Sequence, residues 1–189
     1  EPNWRELPVL LTKDKLIYEA QDNVIKEMYR VKEKVESLQN DNTFSFLYLT
    51  DSHATGTAKN LSYEKKAAFE HFENAVNISK IINLDFYVHG GDIADGSTIN
   101  LNYHKEDLTR YLSIISKMSI PLLHKIGNHD DNSLADVVGY YGNGGLNHTV
   151  SRTWLRDNIY KKSTLVTEFN DDDNIGCYGY GKIDSLKLC

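Results

Sequence analysis

The sequence predicts an α/β protein built on a parallel sheet, and three observations carry that prediction. Short apolar runs at 44–50, 85–89 and 121–126 alternate with amphipathic helical stretches, the grammar of successive β-α-β units. Each run ends in a polar cluster: Asp51-Ser52-His53, Gly90-Gly91-Asp92-Ile93-Ala94-Asp95-Gly96, and Gly127-Asn128-His129-Asp130. The chain has 189 residues, 40% of them hydrophobic and 25% charged, the make-up of one ordinary globular domain with a real core.

Taken in order, 13–39 reads as a charged helix whose stripe of Ile17, Gln21, Val24, Met28, Val31, Val35 and Leu38 recurs at spacings of three and four. Those spacings suit a helix packed on its own domain, and they also fit a short coiled coil through which the chain would self-associate. A polar break at 40–43 separates this N-terminal extension, 1–42, from a domain over 43–189. The run 44–50 reads as a buried strand, and 62–82 as a helix with Ala67, Phe69, Phe72, Val76 and Ile81 inward. A second strand follows at 85–89, then a helix with Leu108, Tyr111, Leu112, Ile115 and Met118 on one face, then a third strand at 121–126. Crossovers of this kind are right-handed. Beyond lie a glycine-rich loop at 139–145, a short helix around 154–160, and β-like pieces at 164–169 and 176–188, with an acidic turn at 171–173.

A net charge of -6 argues against a simple polyanion such as nucleic acid as partner, so a phosphate recognised here needs cations. Apolar runs such as 46–49 are too short to cross a bilayer. The reading is a soluble protein, cytoplasmic by default, with the compartment left open. The two cysteines, Cys177 and Cys189, lack metal-type spacing and read as ordinary thiols. Sequons at Asn60, Asn77 and Asn147 matter only in a eukaryotic secretory protein.

The chemistry lies in the three clusters. All follow predicted strands, and the carboxyl edge of an open α/β sheet is where ligands bind. Asp51, His53, Asp92 and Asn128 offer carboxylate, imidazole and amide oxygen, donors that suit a hard or borderline divalent cation. A carboxylate such as Asp92 can bridge two cations, and such a pair can hold a phosphoryl oxygen and activate a shared water. His129 is then free to donate a proton to a leaving oxygen, oriented by Asp95. Of the other histidines, His71 on a helix, His104 in a loop, and His89 and His124 in strands lack partners at ligand spacing and read as structural, with support of the site as the alternative for His89, which lies near it in sequence.

Asp51-x-His53, Gly91-Asp92-x-x-Asp95-Gly96 and Gly127-Asn128-His129-Asp130 are similar to the first three signature blocks of the calcineurin-like metallophosphoesterases, a resemblance spanning 44–130. It implies a metallophosphoesterase-type α/β sandwich that hydrolyses phosphate mono- or diesters with two divalent ions, Mn, Fe or Zn. By position, Asp51, His53 and Asp92 would hold the first ion, Asp92 and Asn128 the second, and His129 with Asp95 would assist catalysis. The family carries three later histidines, two of them in a Gly-His-x-His block. This sequence has no Gly-His dipeptide, and His148, its last histidine, does not resemble either later block. The resulting expectation is a domain truncated at its C-terminus, with two ions in the parent and one or none in this chain. Two rivals stand beside the hydrolase: a non-catalytic assembly module joined through 13–39, and a single-metal hydrolase using Asp51, His53 and Asp92.

Overall fold

A computed structural model describes residues 16–56, 63–137, 147–172, 176–183 and 186–188. The first sheet has strands β1 (Phe46–Leu49), β2 (Phe86–His89) and β3 (Leu122–His124) in the order β1-β2-β3, all parallel. The crossovers are helices α2 (Tyr63–Ile81) and α3 (Leu101–Ile115), preceded by α1 (Asp22–Glu36). With adjacent strands joined in sequence, right-handed crossovers put both helices on one face, and α2 and α3 pack on each other there. A short helix α4 (Arg152–Asn158) leads to an antiparallel sheet of β4 (Val166–Asp172), β5 (Gly176–Ile183) and β6 (Leu186–Leu188).

Strand periodicity sorts the side chains. The rows Leu47-Tyr87-Leu122 and Leu49-His89-His124 are in register and meet the helices, where Phe72, Val76, Leu108, Tyr111 and Ile115 are fully buried beside Tyr87. The opposite row begins with Phe46 stacked on Phe86 at 4.8 Å. The expectation of a buried first strand is corrected here: Phe46 and Tyr48 are 52% and 53% exposed, because β1 is an edge strand with helices on one face only among the described residues.

The N-terminal helix is also shorter than its stripe. Residues 16–21 are not helical, because the fully buried amide of Asn77 on α2 captures them: its Oδ1 accepts from the backbone N–H of Ile17 and Tyr18, and its Nδ2 donates to the Tyr18 carbonyl. From Asp22 onward most of the stripe packs within the domain, Met28 with Ile81 and Ile82 while Val24, Val31 and Val35 flank them, and Leu38 is left exposed. Gln39 then ties the connection down by donating to the Asn83 carbonyl and Ser45 Oγ.

Three smaller expectations change. His104 lies on α3, whose start is capped by Asn100 accepting from the N–H of Asn102 and Tyr103. Asp171 and Asp172 belong to β4, paired with Cys177 and Gly176, rather than to a turn. The expected single piece at 176–188 is two strands. The loop 139–145, Asn60 and Cys189 lie outside the described residues.

Candidate metal centre

The loops after β1 and β2 prolong the parallel ladder in distorted form. Asp51 N–H donates to the Gly91 carbonyl at 3.1 Å, His53 N–H to Asp92 at 3.0 Å, and Ala54 N–H to Ile93 at 2.9 Å. Ala54 and Ala94 close an isolated bridge at its end. Inside this ladder Asp51, His53 and Asp92 have φ of 52°, 44° and 53°. Left-handed backbone costs an L-residue roughly 1–2 kcal/mol, so three such residues persist only where their surroundings over-determine them. Gly91 has φ of 110°, and a Cβ there would stand 2.7 Å from the Gly127 nitrogen. The second and third loops touch backbone to backbone at that point.

The result is convergence. His53, Asp92 and His129 each place one ligand-type atom within 4.8 Å of the others. The rings of His53 and His129 meet edge to face at 4.3 Å, and Asp92 Oδ1 accepts from the His129 N–H at 2.9 Å. His129 Nδ1 lies 2.6 Å from the Asp95 backbone carbonyl. A carbonyl only accepts, so Nδ1 carries the hydrogen and Nε2 is the nitrogen left free. Asp95 thus meets His129 through its backbone; its carboxylate instead accepts from Ser97 Oγ and lies 3.9 Å from His53 Nδ1. Asp51 stands outside the trio, its Oδ2 accepting from Thr50 Oγ1, and Asn128 is exposed at the edge.

Buried groups that the sequence reading gave no role hold this edge in place. The fully buried Asp130 accepts from Ile93 and Ala94 N–H through Oδ1 and from Gly127 N–H through Oδ2, tying the second loop to the third. Burial pushes its carboxyl up to about 6 against the pull of those donors, and the Asp92 charge adds to the rise. His104 Nε2 donates to the Asp130 carbonyl at 2.7 Å. Asn132, buried with φ of 60°, accepts from Thr98 N–H and donates to the Thr98 and His148 carbonyls.

His89 and His124 are both buried and hydrogen-bonded. His89 spans Ser52 Oγ and Gly91 N–H, while His124 Nδ1 meets Tyr111 Oη at 2.8 Å. Burial drives both below their ordinary range, His89 to about 3, with the positive form of His124 disfavouring its charge further and Asp51 opposing the fall, and His124 to about 4. His148 is committed elsewhere: its Nδ1 lies 2.8 Å from Asp136 Oδ1, and the same carboxylate accepts from Thr149 Oγ1. His71 is on the exposed side of α2. The signals for Asp130 and Asn132 were a short acid closing the third strand-end cluster and an amide two residues beyond it, types that bond backbone in turns.

A parallel sheet whose carboxyl edge gathers two imidazoles and a carboxylate is an α/β domain with a donor group that could hold a divalent ion, and mixed nitrogen and oxygen donors fit such an ion. The chain matches the calcineurin-like phosphoesterase family over residues 44–188 and belongs to it. Members of that family are metal-dependent phosphoester hydrolases, so the substrate carries a phosphate. No match was found among curated proteins or among solved structures. No helix among the described residues is long and apolar enough to cross a membrane.

Proposed function

We propose that this protein hydrolyses phosphate mono- or diesters at the carboxyl edge of its parallel sheet, using Mn, Fe or Zn held by Asp51, His53, Asp92 and Asn128. The observation that carries this reading is the convergence of His53, Asp92 and His129 within 4.8 Å, on loops in which Asp51, His53 and Asp92 are held in left-handed backbone. Bound there, divalent ions supply Lewis-acid polarisation of the phosphoryl group and lower the pKa of water.

The chain's own residues do the rest. Asp92 sits at the junction of all three loops and fixes the backbone of His129 through Oδ1. His129, with Nδ1 pinned by the Asp95 carbonyl, presents Nε2 to the substrate; in its protonated form that nitrogen donates to the phosphoryl or leaving oxygen. A second reading, favoured by the trio itself, takes His129 as a ligand of a single ion together with His53 and Asp92.

The test is metal content after incubation with Mn²⁺, alongside hydrolysis of an aryl phosphate mono- and diester. Turnover that a chelator abolishes, and that falls at least about 10²-fold in Asp92→Asn, is expected. His129→Ala separates the readings: unchanged metal content with turnover lost by roughly 10²–10⁴-fold supports the proton donor, and lost metal supports the ligand. Bound metal with no turnover on either ester would leave a binding module in place of an enzyme.

A further inference from the structure

We propose that His89 is a positioning residue for the metal centre, one buried ring that holds the first two of the three ligand-bearing loops against the floor of the fold; this rests on the metal-centre reading above. The ring is fully buried and is gripped edge to face by Phe72 at 5.8 Å and Tyr111 at 5.3 Å. Packed on these sides, it is held in one orientation.

Its two nitrogens have fixed and different roles. Nδ1 lies 3.2 Å from the Gly91 amide nitrogen, and an amide N–H only donates, so Nδ1 is the acceptor and the hydrogen sits on Nε2. Nε2 therefore donates to Ser52 Oγ at 3.0 Å. Ser52 lies between Asp51 and His53, and Gly91 immediately precedes Asp92. Each nitrogen thus grips a residue adjoining a ligand in left-handed backbone. The ladder bonds from Asp51 to Gly91 and from His53 to Asp92 join the loops to each other; His89 anchors the pair to the aromatic floor. With the Ser52 bond gone, the loops stay attached while the ligands lose their preset directions, a defect that appears in metal affinity before it appears in stability.

The experiment is calorimetric titration with Mn²⁺, with the bound-Mn²⁺ paramagnetic resonance spectrum as a second readout, on the wild-type chain, Ser52→Ala, His89→Asn and the double variant. Ser52→Ala removes only the acceptor, and His89→Asn keeps an acceptor near the Gly91 amide while losing reach to Ser52. Each single change is expected to weaken Mn²⁺ binding by about tenfold or more and to broaden the spectrum. The double variant is expected to be no weaker than His89→Asn, because both changes remove one bond. The metal-free melting temperature of Ser52→Ala stays at the wild-type value. Wild-type affinity in Ser52→Ala and His89→Asn, or losses that add in the double variant, would overturn the role of His89 alone. A wild-type chain that takes up no Mn²⁺ overturns the metal-centre reading and this role with it.

Discussion

The floor of this molecule and its carboxyl edge are held by different physics. Between the sheet and helices α2 and α3, Phe72, Val76, Tyr87, Leu108, Tyr111 and Ile115 are buried in one cluster, and their cohesion is the sum of many weak, non-directional contacts. The edge rests on a few directional bonds: three amides on Asp130, the Asn132 clamp and the His89 bridge. Damage to the floor removes stability in proportion to volume, whereas damage to the edge removes geometry while most of the stability remains.

The strongest way to break that contrast is Phe72→Ala. Loss of a fully buried ring is expected to cost about 3–5 kcal/mol in denaturant unfolding, with Mn²⁺ affinity of the folded fraction falling less than in His89→Asn, because Phe72 is one of two rings packed on His89; an affinity loss as large as that of His89→Asn would show floor and edge to be one unit. Asp130→Asn comes next. The amide can satisfy only part of the carboxylate's acceptor role, turning an N–H toward backbone donors, so a loss of about 1–3 kcal/mol is expected, accompanied here by a marked loss of Mn²⁺ binding.

A smaller effect sharpens the contrast through pH. Burial lowers His124 from 6.5 to about 4, so between those values the folded chain binds fewer protons than the unfolded one. The stability linked to this group is fully present above the unfolded value and is lost as pH falls toward the folded one. Urea midpoints measured from pH 7 to pH 4 should decline less steeply in His124→Gln than in the wild type; parallel declines would remove His124 as the source. Least of all is expected from Glu27→Ala on α1, which removes a pair with Arg30 whose side chains are both 57% exposed. Its melting temperature should match the wild type.

The readable and unreadable parts of the sequence divide along the same line. Strands, crossover helices and the three strand-end clusters follow local rules of period and turn chemistry, and α2 came within a residue of its expected ends. What was hidden depends on partners distant in sequence. Asp130 is 37 residues from the Ile93 amide it holds, and Asn77 is 60 from the Ile17 amide that it takes out of the helical stripe. The bond from His89 to Ser52 is likewise hidden in a one-dimensional search, because it spans 37 residues and follows from the register of the parallel strands. His104 was readable: Asn100 is a standard N-cap type, and weighing it would have put the helix start ahead of the histidine.

Asn77 also bears on the order of events in the life of the chain. It opens an Asn-Ile-Ser sequon, yet its amide is fully buried and gives both ends to the 17–18 backbone, while Ser79 turns inward to the Val76 carbonyl. A glycan has no access to that nitrogen once the N-terminal segment has docked. If the chain is made where such sugars are added, modification and docking compete for one amide: a glycan at Asn77 would mark molecules that met the transferase before they folded.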